Sequence, residues 1–498
     1  MADKILTFTR LIYGTLEKKV VFYFAVILLG LQSFWLSLSA VYPLPFDEYM
    51  HVGITRLYSS HWSPFLTSQP ASASLYGDIT RDPSYFYHYL MSFPYRLLDV
   101  FISNQTFLII SMRLLNVTFV CIGLFFFRKL LLKWGISKRI THVALLIFVC
   151  TPIVPLLAAH NNYDNLLFLL IPLFLLIVTK LILKESNLIV NLSLYFSLGF
   201  IASLVKYTFI PMFAIVTLYL FALYIKRRDG ISLKAEWRKL NSKLILFGLL
   251  LMLVISFGLF IERPVANIIS YHSISPKCED VQSIEVCKDF MPWARNQENL
   301  KNKSAEKLYG NPISFTQHWV TKSMRGFFAI FSHTPTQVVS NKEPFGPIVL
   351  KPLLPLPIAI AYLVLLLGIS AVVLQFKKIW TDQFLRFSLV LSSGYLSVLW
   401  LFNYQGYLKL GVAQAIQARY TLPILIIVYV LIAWSVNQTF KSENIKTALL
   451  ILVFVAYCWG GGIAGYLIWA DQNWYWQNTT VITVNKQIQN ILHYVVIH

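Results

Sequence analysis

Two adjacent carboxylates, Asp47 and Glu48, follow the first long apolar run of the chain, in the segment PLPFDEYMHV. The next long apolar run does not begin until about Phe107. Acidic side chains are costly in or beside a hydrocarbon layer, so this pair indicates chemistry or ion binding at a membrane surface. The alternative for either residue, taken alone, is a solvated helix end.

Further polar residues stand between later apolar runs, and each has a plainer alternative. Asp164, in HNNYDN, is also suited to capping the helix that starts at Asn165. Lys206 and Arg419 are equally suited to contacting lipid headgroups, and His88 to packing at the interface. The candidates from these segments and from the aromatic segment RDPSYFYHYL are Asp164, Lys206, Arg419, Tyr420, Arg81, Tyr85 and His88.

The composition is that of a polytopic membrane protein. The 498 residues are 57% hydrophobic and only 13% charged, whereas a soluble protein carries about 25% charged residues. The net charge of +20 comes from Lys and Arg in short loops between apolar runs. That distribution is the positive-inside pattern of membrane proteins, and it argues against a nucleic-acid partner.

Eleven apolar runs approach or exceed the roughly 20 residues that cross a bilayer, so we expect an all-α bundle of about eleven transmembrane helices. Basic loops alternate with longer mixed loops, which places the N-terminus in the cytoplasm and the C-terminus outside. The first run is long enough to remain as a membrane helix, so no cleavable signal peptide is expected. The predicted spans are 20–42, 107–127, 140–158, 165–183, 188–205, 208–225, 244–261, 352–376, 387–404, 420–438 and 447–469.

The chain therefore divides into three predicted parts. Residues 1–261 form an N-terminal transmembrane module whose first outer loop, 43–106, carries the acidic pair. Residues 262–351 form a larger outer loop or small domain, and residues 352–498 form the last helices and an outer tail. In the larger loop we favour a disulfide between Cys278 and Cys287 over two free thiols, because the predicted compartment is oxidising.

Carboxylates that meet cations at an outer membrane face suit a lipid-phosphate sugar donor. The phosphate requires Lys or Arg, and the guanidinium of Arg offers a fork of donors to its oxygens. When the phosphate leaves, the sugar carbon gains oxocarbenium character. A carboxylate then deprotonates the acceptor hydroxyl or stabilises that positive charge.

These residues resemble the GT-C superfamily of polytopic glycosyltransferases, which use polyprenyl-phosphate sugars. An acidic pair in the first outer loop is typical of its protein O-mannosyltransferase and lipid A aminoarabinose transferase branches. The segment RDPSYFYHYL is similar to the PPLYY-type segment of those enzymes, although Asp82-Pro83-Ser84 replaces the usual double proline. NNYDNLL matches a second acidic turn, and QARYTLP is similar to a QGRY-P segment, with Ala418 in place of Gly.

The resemblance implies a role for each candidate. Asp47 would be the general base or would stabilise the sugar centre, and Glu48 and Asp164 would orient it or bind the acceptor. Lys206, Arg419 and Arg81 would bind the donor phosphate. Tyr85, His88 and Tyr420 would line the substrate pocket. Some relatives need a divalent ion, so Mg²⁺ or Mn²⁺ held by Asp47 and Glu48 is an open alternative to metal-free chemistry.

The sequence thus predicts an inverting transfer of one sugar to an extracytoplasmic acceptor in a bacterial inner or plasma membrane. The acceptor would be an envelope glycan, such as a lipid-linked O-antigen or a teichoic-type polymer. One alternative is a polysaccharide polymerase or ligase that uses a lipid-diphosphate donor. Another is a transporter of lipid or solute, for which charges near mid-span would be expected.

Overall fold

The computed structural model describes residues 14–44, 46–227, 236, 243–302, 311–328, 355–470 and 472–497. In these parts of the chain the protein is helical, and the only sheet-like pairing is an isolated bridge between Ala40 and Tyr475. Within this described portion, nine helical segments are long and apolar enough to cross a membrane. The chain is therefore an all-α polytopic membrane protein.

The N-terminal half contributes a long helix for each predicted span but one. Short helices lie between the first two spans, so the predicted first outer loop, 43–106, is itself helical. The helices are α1 (Lys19–Ser39), α2 (Glu48–Ser59), α3 (Phe86–Phe101), α4 (Gln105–Lys133), α5 (Lys138–Cys150), α6 (Ile153–Ala158), α7 (Tyr163–Leu183), α8 (Leu188–Val205), α9 (Ile210–Arg227) and α10 (Lys243–Tyr271), with short 3₁₀ turns at Ala71–Tyr76 and Tyr207–Phe209.

The C-terminal half begins with short helices of the larger loop and continues with further spans. The helices are α11 (Cys278–Val281), α12 (Ile284–Cys287), α13 (Met291–Lys301), α14 (Pro312–Phe327), α15 (Pro355–Leu374), α16 (Phe376–Thr381), α17 (Gln383–Leu410), α18 (Leu422–Thr439), α19 (Glu443–Trp459), α20 (Gly462–Trp469) and α21 (Thr479–Ile497), with 3₁₀ turns at Ala418–Thr421 and Gln472–Trp474.

Two predicted spans are broken. The run 140–158 forms α5 and α6, because Thr151 is extended ahead of Pro152 and the helix cannot pass through that dipeptide. The run 447–469 forms α19 and α20, which meet at an angle of 42°. Gly461 and Gly462 lie at that bend with positive φ. Of the eleven predicted spans, one is therefore a bent pair of helices, α19 and α20, and one consists of two shorter helices, α5 and α6.

The interior of the bundle is built from α4, α5 and α7, which pack on one another. Phe168 of α7 stacks on Phe148 of α5 with ring centroids 5.1 Å apart. The ring centroid of Phe127 of α4 lies 5.0 Å from that of Phe168. All three rings are at most 2% exposed. This core fixes the relative height of α4 and α7, which both contribute buried polar residues to the site.

The larger loop is described only in part, since residues 303–310 and 329–354 lie outside the described ranges. Cys278 and Cys287 form a disulfide. The hairpin that it closes packs against the 3₁₀ turn of the first outer loop, where Ser74 donates a hydrogen bond of 2.9 Å to Asp289. The predicted outer tail contains helix α21, whose Asn485 accepts a hydrogen bond from Trp35 of α1.

Candidate active site

The turn that carries the acidic pair adopts a strained backbone. Phe46 and Asp47 both have left-handed φ, 68° and 70°, a conformation that costs a non-glycine residue about 1–3 kcal/mol. Arg419 stabilises the turn from the far side of the sequence: its Nη1 donates to the Phe46 carbonyl (3.0 Å) and its Nη2 to Asp47 Oδ2 (2.9 Å). The Asp47 side chain is still 46% exposed, so its carboxylate faces the open side of the site.

Glu48 is buried and fully bonded. Arg113 of α4 forms a bidentate ion pair with it, at 2.8 Å and 2.7 Å, and neither side chain is exposed. The backbone N–H groups of Leu44 and Asn161 also donate to its oxygens. Burial alone would raise the pKa of Glu48, but the charge and hydrogen bonds of Arg113 prevail and keep the pKa below its ordinary value.

Arg113 also holds the end of the first span. Its Nη1 donates to the carbonyls of Ser37 (3.2 Å) and Ala40 (2.6 Å), which α1 leaves without helical partners. Removing one partner of such a buried ion pair costs about 3–5 kcal/mol. Glu48 therefore joins the predicted first outer loop to α1 and α4 through Arg113, and its acceptor-binding or orienting role stays a prediction.

Asp164 and Lys206 form a second buried ion pair. Lys206 Nζ lies 2.5 Å from Asp164 Oδ1, and the two side chains are 2% and 3% exposed. Asn162 caps α7 through the N–H of Asp164, so the capping alternative for Asp164 is wrong. The burial of Lys206 also rules out the headgroup contact, because its ammonium is directed into the protein.

Two aromatic rings enclose the ammonium of Lys206. It lies 4.5 Å from the centroid of Tyr163 and 4.8 Å from that of Tyr420, distances at which cation–π attraction acts. Burial lowers the pKa of Lys206 to about 8, against the opposing effect of Asp164. Tyr420 therefore lies beside Lys206 in the same group of side chains. At the edge of this group, the guanidinium of Arg419 lies 5.1 Å from the centroid of the Phe46 ring.

The structure thus brings together most, but not all, of the predicted residues. Asp47, Asp164, Lys206, Arg419 and Tyr420, here called the ion-pair cluster, lie at one end of the helix bundle, although they come from four distant parts of the sequence.

Arg81 and Tyr85 are directed elsewhere. The Arg81 guanidinium lies over Tyr271 of α10, 5.1 Å from the ring centroid. The Tyr85 hydroxyl donates to the Leu259 carbonyl of the same helix. Both residues therefore join the first outer loop to α10, so the predicted phosphate-binding role of Arg81 and pocket-lining role of Tyr85 have no geometric support.

His88 pairs with a residue that the sequence analysis did not select. Its Nε2 lies 2.9 Å from Nδ1 of His51, and the rings stack at 16°. Both histidines are buried. Burial is the main cause that lowers the pKa of His51 well below its usual value and that of His88 to about 3. Both imidazoles are therefore neutral at physiological pH.

The residues do not fit the divalent metal that the sequence left open. Both oxygens of Glu48 are taken by Arg113, and Asp47 is bonded to a guanidinium rather than facing a second acid. In the described part of the chain, no group of three or more His, Cys, Asp or Glu is arranged to hold a metal ion. We therefore derive no step through Mg²⁺ or Mn²⁺.

An apolar groove begins beside the ion-pair cluster. Its volume is about 290 Å³, and it follows α18 from Thr421, the neighbour of Tyr420, to Asn437. Arg139 and Lys446 stand among its lining residues at the opposite end of the bundle. Its apolar walls come from several helices and include Ile147, Phe327, Leu365, Val428, Tyr429 and Tyr457.

No known protein family, curated protein or solved structure matches this chain.

Proposed function

We propose that this protein is a membrane glycosyltransferase that moves one sugar from a polyprenyl-phosphate donor to an extracytoplasmic acceptor of the cell envelope. The observation that carries the proposal is the position of the ion-pair cluster at the mouth of an apolar groove. A prenyl phosphate has this same division into a charged head and a long apolar chain.

Lys206 and Arg419 are suited to the phosphate. Each cation is neutralised by a carboxylate, Asp164 for Lys206 and Asp47 for Arg419. A phosphate that enters between the cations takes over part of this bonding. Arg419 presents a planar fork of donors and Lys206 a point charge, which are the two usual ways in which proteins hold phosphate oxygens.

Asp47 is the best placed general base. It is the half-exposed acid of the cluster, and Arg419 bonds only its Oδ2. In the proposed step the acceptor oxygen forms a bond to the anomeric carbon, and the bond from that carbon to the phosphate oxygen breaks. The acceptor proton passes to Asp47, and the bonding electrons leave with the polyprenyl phosphate. Attack opposite the phosphate inverts the anomeric centre.

The groove along α18 is suited to the prenyl chain. Its lining is apolar along the membrane-spanning length of the helix, and its end at Thr421 belongs to the same 3₁₀ turn as Arg419. Each CH₂ group of the chain that is buried in the groove contributes about 0.8 kcal/mol to the free energy of binding. A chain bound there therefore holds the attached phosphate near Arg419 and Lys206.

The decisive experiment is Asp47→Asn in proteoliposomes supplied with a radiolabelled polyprenyl-phosphate hexose and envelope glycan acceptors. We expect transfer to fall at least about 100-fold, as for removal of a general base. The matched control is Asp99→Asn, which changes an exposed acid of the same outer loop and should leave the rate unchanged. Transfer by Asp47→Asn at the wild-type rate would refute the assignment.

The same assay separates the alternatives. A polymerase or ligase would extend the acceptor into a ladder of long products instead of adding one sugar. A transporter would move labelled lipid across the bilayer with no covalent product, and Asp47→Asn would then be scored by counterflow.

A further inference from the structure

Four buried polar atoms around the ion-pair cluster have no hydrogen-bond partner. They are Nε2 of His51, Nε2 of His160, Oδ2 of Asp164 and Nε of Arg419, on residues that are at most 4% exposed. Native proteins satisfy almost all buried polar atoms, because an unsatisfied one costs about 1–3 kcal/mol. A concentration of four in one place therefore points to a ligand.

The four atoms belong to groups that lie around two aromatic residues, Tyr163 and Phe46. The His51 ring lies 4.5 Å from the ring of Tyr163, the residue that precedes Asp164 and also contacts Lys206. The His160 ring lies 6.1 Å from the ring of Phe46, which Arg419 covers. The His88 ring lies farther from Tyr163, at 6.3 Å, so His51 is the member of the histidine pair nearer to the cluster.

The hydrogen-bond polarity of His51 follows from its partners. His88 is bonded to the backbone of Ser84, an interaction that favours its protonated ring and so involves the Ser84 carbonyl. Since Nε2 of His88 faces His51, Nδ1 carries the proton that is donated to that carbonyl. Nε2 of neutral His88 is then an acceptor, and Nδ1 of His51 donates to it. Nε2 of His51 therefore has no proton and is a bare acceptor.

The other atoms can be assigned in the same way. Nδ1 of His160 lies 2.8 Å from the Leu157 carbonyl and donates to it, so that Nε2 of His160 is also a bare acceptor. Asp164 uses Oδ1 for Lys206 and leaves Oδ2 as a third acceptor. Arg419 Nε is the single donor of the set. Phosphate oxygens only accept hydrogen bonds, so a phosphate satisfies Arg419 and leaves all three acceptors unpaired.

We propose that His51, His160 and Asp164 bind hydroxyl groups of the transferred sugar, with His88 as the residue that orients His51. The inference rests on the proposed function and adds to it the groups that recognise the sugar. Hydroxyls are the donors that a neutral sugar ring supplies in number, so the three acceptors favour a hydroxyl-rich, uncharged pentose or hexose.

The test compares binding of undecaprenyl phosphate with binding of undecaprenyl-phosphate glucose, mannose and arabinose to the full-length protein in detergent. We expect at least one sugar-bearing lipid to bind more tightly than the bare phosphate. His51→Asn retains an amide N–H near the position of Nδ1, which keeps the bond to His88, and removes the acceptor Nε2. This variant should weaken binding of the preferred sugar lipid about 3- to 10-fold, the usual effect of one hydrogen bond, and leave the bare phosphate unchanged.

His61→Asn, at an exposed histidine of the same outer loop, is the control and should bind all four lipids like the wild type. The unchanged affinity of His51→Asn for bare phosphate also shows that the variant is folded. Equal binding of all four lipids by the wild type, or equal weakening of all of them by His51→Asn, would overturn the sugar-binding role and leave the phosphate site intact. Failure of the wild type to bind undecaprenyl phosphate would overturn the proposed function, and this inference with it.

Discussion

Two acids that are adjacent in sequence have opposite environments. Asp47 is half exposed and bonded to Arg419 through one oxygen, whereas Glu48 is inaccessible and bonded to Arg113 through both. The difference arises because helix α2 begins at Glu48, whereas Asp47 precedes it with a left-handed φ of 70° and does not follow the helical geometry. Asp47 directs its carboxylate to the open site. Glu48 directs its carboxylate to Arg113, between α1 and α4.

The burial of Lys206 predicts a pH dependence for donor binding. Its pKa of about 8 means that the ammonium is half deprotonated at that pH and loses its attraction for phosphate as the pH rises further. If binding requires the charge, the KM for a polyprenyl-phosphate sugar should rise about fivefold between pH 8 and pH 9. The donor is a phosphodiester, which does not titrate in this range.

Lys206→Arg removes this dependence, because a guanidinium stays protonated throughout. Its KM should be flat from pH 7 to pH 9, whatever its value at pH 7. The control Lys441→Arg, at an exposed lysine outside the ion-pair cluster, should keep the wild-type profile. An alkaline rise in KM that persists in Lys206→Arg would show that another group is responsible.

The sequence predicts individual members of the site better than it predicts their partners. The cost of placing charge near hydrocarbon identified Asp47, Asp164, Lys206 and Arg419. The same argument applies to Arg113, a lone cation within the second apolar run, but its pairing with Glu48 depends on how α1 and α4 pack. His51 has no signal of its own in the sequence, since its bare nitrogen becomes evident only when His88 is placed beside it.

At the scale of the elements, hydropathy locates the spans and local chemistry breaks two of them. The α19–α20 bend requires Gly462, which has a φ of +58° and would place a Cβ atom 2.5 Å from the Pro152 carbonyl between α5 and α6. The two breaks therefore pack against each other. Periodicity and apolar length carry no information about such contact, so the sequence predicted two unbroken helices.

Gly462→Ala should consequently destabilise the protein. The positive φ and the close carbonyl both oppose a side chain, so we expect the free energy of unfolding to fall by about 1–3 kcal/mol. The measurement is the midpoint of thermal unfolding in detergent, which should be lower than that of the wild type. Gly30→Ala is the control, since Gly30 lies inside α1 and a Cβ atom there meets nothing within 4 Å. It should be neutral or slightly stabilising, because Ala is the better helix former. Equal midpoints for both variants would show that the bend tolerates a side chain.

At the scale of the whole molecule, the bundle places a charged cluster at one end and an apolar groove along its length. The first outer loop and the ends of α7, α8 and α18 hold the cluster. The sides of the helices around α18 shape the groove, so the head of a lipid would be held at helix ends and its chain along helix sides. If the groove holds the prenyl chain, Val428→Trp, which fills a lining position, should raise the KM for an undecaprenyl-phosphate sugar at least about tenfold. This corresponds to about 1.4 kcal/mol, or the burial of about two CH₂ groups.

Chain length distinguishes this effect from general damage. A donor with only two isoprene units leaves most of the groove empty, so Val428→Trp should change its KM much less than that of the long donor. Leu366→Trp, at an exposed position of α15 outside the groove lining, should affect neither donor. If Val428→Trp impairs both donors equally, the chain is bound elsewhere and the groove has another occupant. Selective loss of the long donor would instead tie the groove along α18 to the phosphate at Arg419 as one continuous lipid site.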